Sequence, residues 1–342
     1  SDINHRTMVG EDFRTFMGSF PRTAHPMSVM ASAVNALATF YPDTTDINDS
    51  DQLDEAATII MAKARTIVSY IFRRRRDEPM LYPDYSRGYV DDFLRMCFAV
   101  PYEPFESDPL YVHALGRLLI IHADHEQNCS TSVVRIAGSA HANLYSAVAA
   151  GINALSGPLH GGANAKVMEM FHYIKENVDP HDDGSIRDYL NKLLDKEAGD
   201  HSGKLYGLGH AVYTISDPRA VLLKKYAQHM AEIKGYADEF ALLQKVEELG
   251  IPLVQERRHS DIPMCANVDM YSGLVYTMLG IPEDVFTPLF ASARIAGWCA
   301  NRMEELITCR RIMRPAYRAV TIHGHYIPME ERTAHLTDVP NV

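Results

Sequence analysis

The sequence predicts an all-α protein: a large helical domain with a smaller, mobile helical domain inserted into it. Three observations lead there. Apolar residues recur at i, i+3 and i+4 through most of the 342 residues. Pro, Gly and short polar residues bracket those runs, and sustained strand-like alternation is scarce. The stretch 172–284 is more charged and carries the polar loops NVDPHDDGS and DKEAGDHSGK. The expected division is therefore 1–171 and 285–342 for the large domain and 172–284 for the small one.

In chain order, DPLYVHALGRLLIIHADH puts Val112, Leu115, Leu118 and His122 on one helical face, which His125 extends by a turn. AKVMEMFHYIKENV repeats the pattern with Val167, Met170, Phe171, Ile174 and Val178. SDPRAVLLKKYAQHMAEI opens with Asp217 as N-cap and Pro218 at the first helical position. YSGLVYTMLGIP reads as a short apolar helix closed by Gly280 and Pro282. PLFASARIAGWCANRMEELIT reads as a long helix, apolar at its start and charged at its end.

A composition 46% hydrophobic and 23% charged supports a sizeable core. The formal net charge of −11 argues against general affinity for nucleic acid, which depends on neutralising phosphates. Cys97, Cys129, Cys265, Cys299 and Cys309 are scattered without a C-x-x-C pair, as suits reduced thiols. No apolar run approaches the roughly 18 residues of a membrane span, and the opening SDINHRTMVGEDF lacks signal-peptide character. The expectation is a cytoplasmic protein without a membrane partner.

Several short stretches carry chemistry-bearing residues. His160 stands in SGPLHGGANAK just ahead of a helix expected to begin near Asn164. The positive end of that helix disfavours imidazolium, so His160 reads as a neutral hydrogen-bond donor. The bare Gly161-Gly162 would let a ligand approach closely. In LIIHADHEQNCST, His122 and His125 are one turn apart. They read as buried, hydrogen-bonded histidines or as a metal-binding pair, though no third ligand group is evident. His210 lies in the Gly-rich YGLGHAVYTISDPRA, which lacks the G-x-x-x-x-G-K-[ST] of a phosphate loop. Asp269 precedes an apolar helix, where the helix dipole alone would account for it. Arg294, inside an otherwise apolar helix, implies an anionic partner. Arg73, Arg74, Arg75 and Arg76 read as a solvated patch or as a dock for a polyphosphate.

Together and in this order, HADHEQNCST, GPLHGGANAK, GLGHAVYTISDPRA, NVDMYSG, FASARIAGW and RPAY resemble the citrate synthase family, particularly its bacterial form. The resemblance runs from AHPMSVMASAVNALATFYP at 24–42 to about residue 318. It implies the citrate synthase fold and the condensation of acetyl-CoA with oxaloacetate, with hydrolysis of citryl-CoA to citrate and CoA. Methylcitrate synthases, which use propionyl-CoA, share the framework and are the nearest rival reading. A non-catalytic ligand-binding protein on the same scaffold and a metal-dependent hydrolase built on His122 and His125 are more remote ones.

A thioester's methyl group is a very weak carbon acid. A carboxylate must take its proton while a donor stabilises charge growing on the thioester oxygen. By the resemblance, Asp269 is that base and His160 that donor, while His210 polarises the oxaloacetate ketone. The resemblance also gives His125, Arg219, Arg294 and Arg314 to oxaloacetate binding, the arginines through charge-assisted bonds. Arg314 is expected to reach across a subunit interface, which implies a homodimer or a higher homo-oligomer such as a hexamer. CoA enters as a substrate, and no metal or other cofactor is required. Many relatives carry Lys or Arg after the GH-x-V segment, where this chain has Thr214, Ile215 and Ser216. That leaves Arg73 to Arg76 as candidates for the CoA phosphates. Ala266 stands where the family usually has proline before NVD.

Overall fold

Side-chain caps start half of the fourteen α-helices of the described residues. Asp49, Asp108, Asn128, Asn143, Asp182 and Asp217 each accept a main-chain N–H of the turn that follows, and His25 does so through its ring. Pro26, Pro109 and Pro218 then occupy first helical positions, where a missing N–H breaks no helical bond. The resulting architecture, a computed structural model, describes residues 2–210, 212–259, 262–309, 311–318, 320 and 326–332.

The α-helices begin with α1 (Asp2–His5), α2 (Glu11–Ser19), α3 (Pro26–Phe40), α4 (Ser50–Arg75) and α5 (Tyr89–Phe98). The middle of the chain forms α6 (Pro109–His122), α7 (Cys129–Ser139), α8 (Leu144–Leu155), α9 (Ala163–Asn177) and α10 (Asp183–Leu194). Then come α11 (Pro218–Lys234), α12 (Ala237–Arg258), α13 (Asp269–Met278) and α14 (Phe286–Thr308). Among the described residues the β-structure is one isolated antiparallel bridge, Leu208 with Ala266. No helix there is long and apolar enough to cross a membrane.

The contacts divide the chain into Ser1–Ile312, which holds all of these helices, and Met313–Val342. In the second unit the described residues include a short turn at Met329–Glu331.

Within the first unit, α14 is the central element and touches α3, α4, α6, α7, α8 and α9. Gly297 allows its close approach to the end of α6. The Gly297 N–H donates to the Ala123 carbonyl (3.0 Å), and a Cβ at Gly297 would lie 2.3 Å from that oxygen. One residue on, Trp298 is fully buried against the bare Gly151 of α8. α13 is buried along most of its length and packs on α9 and α11. The end of α6, the start of α13 and the middle of α14 thereby converge.

The expected capping of α11 by Asp217, the helix closed by Gly280 and the long α14 are all present. One local expectation fails. α6 ends at His122, and His125 lies beyond it instead of extending its face. The main chain leaves the helix because the Ala123 carbonyl is taken by Gly297 and Glu126 adopts a left-handed φ of 46°.

Candidate active site

Two loops set the spacing between His210 and Asp269. The Gly209 N–H donates to the Cys265 carbonyl (2.8 Å) and the Asn267 N–H to the Gly207 carbonyl (2.9 Å). Asn267 Nδ2 donates to the Gly209 carbonyl (2.9 Å), and its Oδ1 accepts the Asp269 N–H (3.0 Å). Gly207 is required here: its φ is +84°, and a Cβ would sit 2.8 Å from Met270 Sδ.

Asp269 is the first residue of α13, and the residue as a whole is half-buried. Burial raises its pKa to about 6; Arg219 and Arg294 pull it down, while the negative charge of Asp217 adds to the rise. Among the described residues no hydrogen bond or ion pair engages the carboxylate itself.

The histidines are held in neutral, oriented states. His210 Nδ1 accepts the N–H groups of Val212 (3.0 Å) and Tyr213 (3.2 Å). That leaves the ring proton on Nε2. Burial, then Arg219, lower its pKa. His160 Nε2 accepts the main-chain N–H of Ser130 (3.3 Å), which can only donate, so its ring proton is assigned to Nδ1. Ser130 Oγ lies 2.8 Å from the same nitrogen and accepts from Trp298 Nε1 (3.3 Å). Burial, then Arg294, lower the His160 pKa.

His125 and His210 meet edge to face at 5.0 Å between ring centroids, with Tyr213 against both. His125 Nε2 is buried without a partner among the described residues. His122 is different. Its Nδ1 donates to the Leu118 carbonyl (2.8 Å), its ring packs on Phe290, and burial lowers its pKa to about 3. Among the described residues no three His, Cys, Asp or Glu side chains form a metal-binding group.

Two of the expected oxaloacetate arginines, Arg219 and Arg294, act electrostatically on Asp269. Arg294 is 1% exposed, donates through Nε to the His122 carbonyl (2.7 Å) and lies over the Phe290 ring. Burial lowers its pKa to about 10. Arg219 donates through Nε and Nη2 to Asp217 Oδ1 (3.1 Å) and Oδ2 (2.8 Å). Arg314 belongs to the C-terminal unit, where its side chain is exposed, and is not among the residues the first unit gathers.

Arg73 to Arg76 are occupied by the protein itself. Arg73 is buried, donating to the carbonyls of Met96 (2.8 Å) and Ala99 and to Glu78. Arg74 donates to the Phe20 carbonyl, Arg75 to that of Ala24 and to Asp284, and Arg76 to Glu78. Arg73 caps the end of α5 and Arg74 and Arg75 fasten neighbouring loops, while Arg76, bonded to Glu78 through Nε, stays exposed. The turn itself also needs Gly161 and Gly162 to be bare. A Cβ on Gly161 would lie 2.3 Å from the Leu155 carbonyl, and one on Gly162 would lie 3.3 Å from Pro158 Cα.

Asn267, Ser130 and Trp298 escaped sequence reasoning. Asn267 had a local signal, its place two residues before Asp269; Trp298 had none, since its partner is 168 residues away. A cavity of about 1030 Å³ opens beside Gly207 and Leu208 and is lined by Arg187, Lys204, Arg257 and Arg258.

A carboxyl group ionising near neutrality, oriented neutral imidazoles and adjacent guanidinium cations define an all-α acid–base enzyme for an anionic substrate. Comparison with known proteins names the family. The family model described as citrate synthase, C-terminal domain, matches residues 1–316. A citrate synthase of Corynebacterium glutamicum is 46% identical over 305 residues, 89% of this chain and 68% of the relative. Citrate synthase 1 of Mycobacterium tuberculosis is 43% identical over 302 residues, 88% of this chain and 68% of the relative. Among solved structures, the citrate synthase of Pyrobaculum aerophilum superposes with a TM-score of 0.77 at 29% identity, covering 97% of this chain and 80% of that one. That of Thermoplasma acidophilum, in ternary complex with carboxymethyl coenzyme A and oxaloacetate, gives 0.80 at 24% identity, covering 96% and 83%. The chain belongs to the citrate synthase family and is an acyl-transferring enzyme.

Proposed function

We propose that, in condensing acetyl-CoA with oxaloacetate, Asp269 removes a proton from the thioester's methyl group while His160 Nδ1–H donates to the thioester oxygen. His210 Nε2–H polarises the oxaloacetate ketone. The enol carbon attacks that ketone, a carbon–carbon bond forms, and the new alkoxide takes the His210 proton. Hydrolysis of citryl-CoA then gives citrate and CoA. The observation that carries this reading is the Asp269 carboxyl, raised to about 6 and standing beside Arg219 and Arg294. Such a base is ionised at neutral pH yet still basic enough to accept a proton. The unpartnered Nε2 of His125 supports its assignment to oxaloacetate.

Lys204, Arg187 and Arg258, all exposed around the cavity of about 1030 Å³, are better placed for the CoA phosphates than Arg73 to Arg76. CoA is a substrate in this scheme, which calls for no metal or further cofactor. Full activity after exhaustive chelation is the expected result. The segment 172–284 is assigned as the small domain. It carries His210, Arg219 and Asp269, whereas His125, His160 and Arg294 belong to the larger part, so closure would bring the two halves of the chemistry together and exclude water. Arg314 is assigned to a neighbouring subunit's site in a homodimer or larger assembly; the exposed Ile120, Ile136 and Ile307 on α6, α7 and α14 support association. Five free cysteines support a cytoplasmic setting.

The test is oxaloacetate-dependent release of CoA thiol from acetyl-CoA. His160→Ala should lower kcat by about 10²–10³-fold with little change in oxaloacetate affinity. Undiminished turnover would remove His160 from the reaction. Lys204→Ala with Arg258→Ala should raise the KM for acetyl-CoA alone, and an unchanged KM would place the CoA phosphates elsewhere.

A further inference from the structure

Asp217 does more than a helix cap requires. Capping needs one oxygen and one N–H of the first turn, as at Asp182, whose Oδ1 accepts the Gly184 N–H (2.9 Å). Asp217 Oδ1 accepts both the Arg219 N–H (3.0 Å) and Arg219 Nε (3.1 Å). Its Oδ2 accepts Arg219 Nη2 (2.8 Å) and the main-chain N–H of Val268 (3.2 Å), which lies 51 residues further on and immediately before Asp269. The residue is 1% exposed.

We infer that Asp217 is a positioning residue for the reaction, fixing the Arg219 guanidinium and the main chain entering Asp269 as one unit and supplying the negative charge that lets base and cation stand side by side. This rests on the roles proposed above for Arg219 and Asp269.

The geometry has two consequences. A guanidinium presents five donors in a planar fork, and Asp217 occupies the Nε–Nη2 edge. The Nη1 side stays available to a substrate carboxylate, already oriented, so less side-chain freedom is lost on binding. The tie to Val268 also makes any movement of α11 a movement of the Asp269 carboxyl. A displacement of about 1 Å at a reacting group can cost about 10²-fold in rate.

The charge has a consequence of its own. Asp269 is faced by Arg219 of α11, Arg294 of α14 and Asp217, with Tyr276 on its own helix. His125 and His210 lie against Arg219 and are held neutral, and Asp124 faces Arg294 from the end of α6. Removing the Asp217 charge leaves Arg219 uncompensated, which favours the Asp269 carboxylate and makes it a weaker base.

Asp217→Asn tests this, since it preserves size and a capping oxygen but removes the charge and places an NH₂ against donors. The acid limb of kcat/KM for acetyl-CoA should move to lower pH by about half a unit or more. The plateau should fall by about 10²-fold. Asp217→Glu, which keeps the charge and disturbs the geometry, should leave the limb in place and lower the plateau. An acid limb unmoved in Asp217→Asn, or a plateau loss proportional only to unfolded protein, would reduce Asp217 to a cap. If Asp217→Asn does not fold, Asp217→Glu decides: an unchanged plateau overturns the inference.

Discussion

At the scale of single residues, burial next to cations sets the chemistry. Asp269 must be ionised to act as base, so kcat/KM should rise with pH through about 6, a limb measurable with acetyl-CoA at limiting concentration. The same shift has a stability counterpart. The folded pKa lies above the unfolded value of 3.8, so the folded state holds the proton more tightly and stability falls as pH rises between the two. Asp269→Asn should therefore raise Tm at pH 8 and have almost no effect at pH 3; an equal effect at both would show that the carboxyl is not desolvated. Taken singly, Asp269 and His210 were accounted for by a helix dipole and a Gly-rich loop. The order of the short stretches is what pointed to them and to Arg219, while Arg294 alone stood out inside an apolar helix. The surroundings of Arg73 to Arg76 were hidden, because a sequence of cations does not reveal whether carbonyls come to meet them. Here those of Met96, Ala99, Phe20 and Ala24 do.

At the scale of elements, helical periodicity and caps located α6, α9, α11, α13 and α14, because those signals are local. Where the chain leaves a helix is a tertiary matter. His125 departs from the α6 face because a carbonyl of that turn bonds across to Gly297, which is distant in sequence. The pairing of residues 207–209 with 265–267 was hidden for the same reason. Gly297→Ala tests the α6–α14 contact. Its Cβ would lie 2.3 Å from the Ala123 oxygen, so it should destabilise the fold by about 1–3 kcal/mol in urea unfolding. It should also raise the KM for oxaloacetate, because Arg294 one turn earlier is held by the His122 carbonyl. Wild-type stability would mean that the two segments separate freely.

At the scale of the whole molecule, the fold brings Arg219 of α11, Asp269 of α13 and Arg294 of α14 together with His125 beyond the end of α6, so the constellation proposed for catalysis spans residues 125 to 294. Acyl preference belongs to this scale, since it depends on the shape of the assembled pocket. One methylene is worth roughly 1–3 kcal/mol there, so kcat/KM should favour acetyl-CoA over propionyl-CoA by about 10–200-fold. A reversed ratio would make the enzyme a methylcitrate synthase. The central claim is that Asp269 is the base. It is tested most directly by comparing CoA release from acetyl-CoA plus oxaloacetate in the wild type and in Asp269→Asn, with oxaloacetate affinity measured alongside. A loss in kcat of about 10²–10⁴-fold with oxaloacetate still bound is the expected result; turnover retained within a few-fold would remove Asp269 from the role of base.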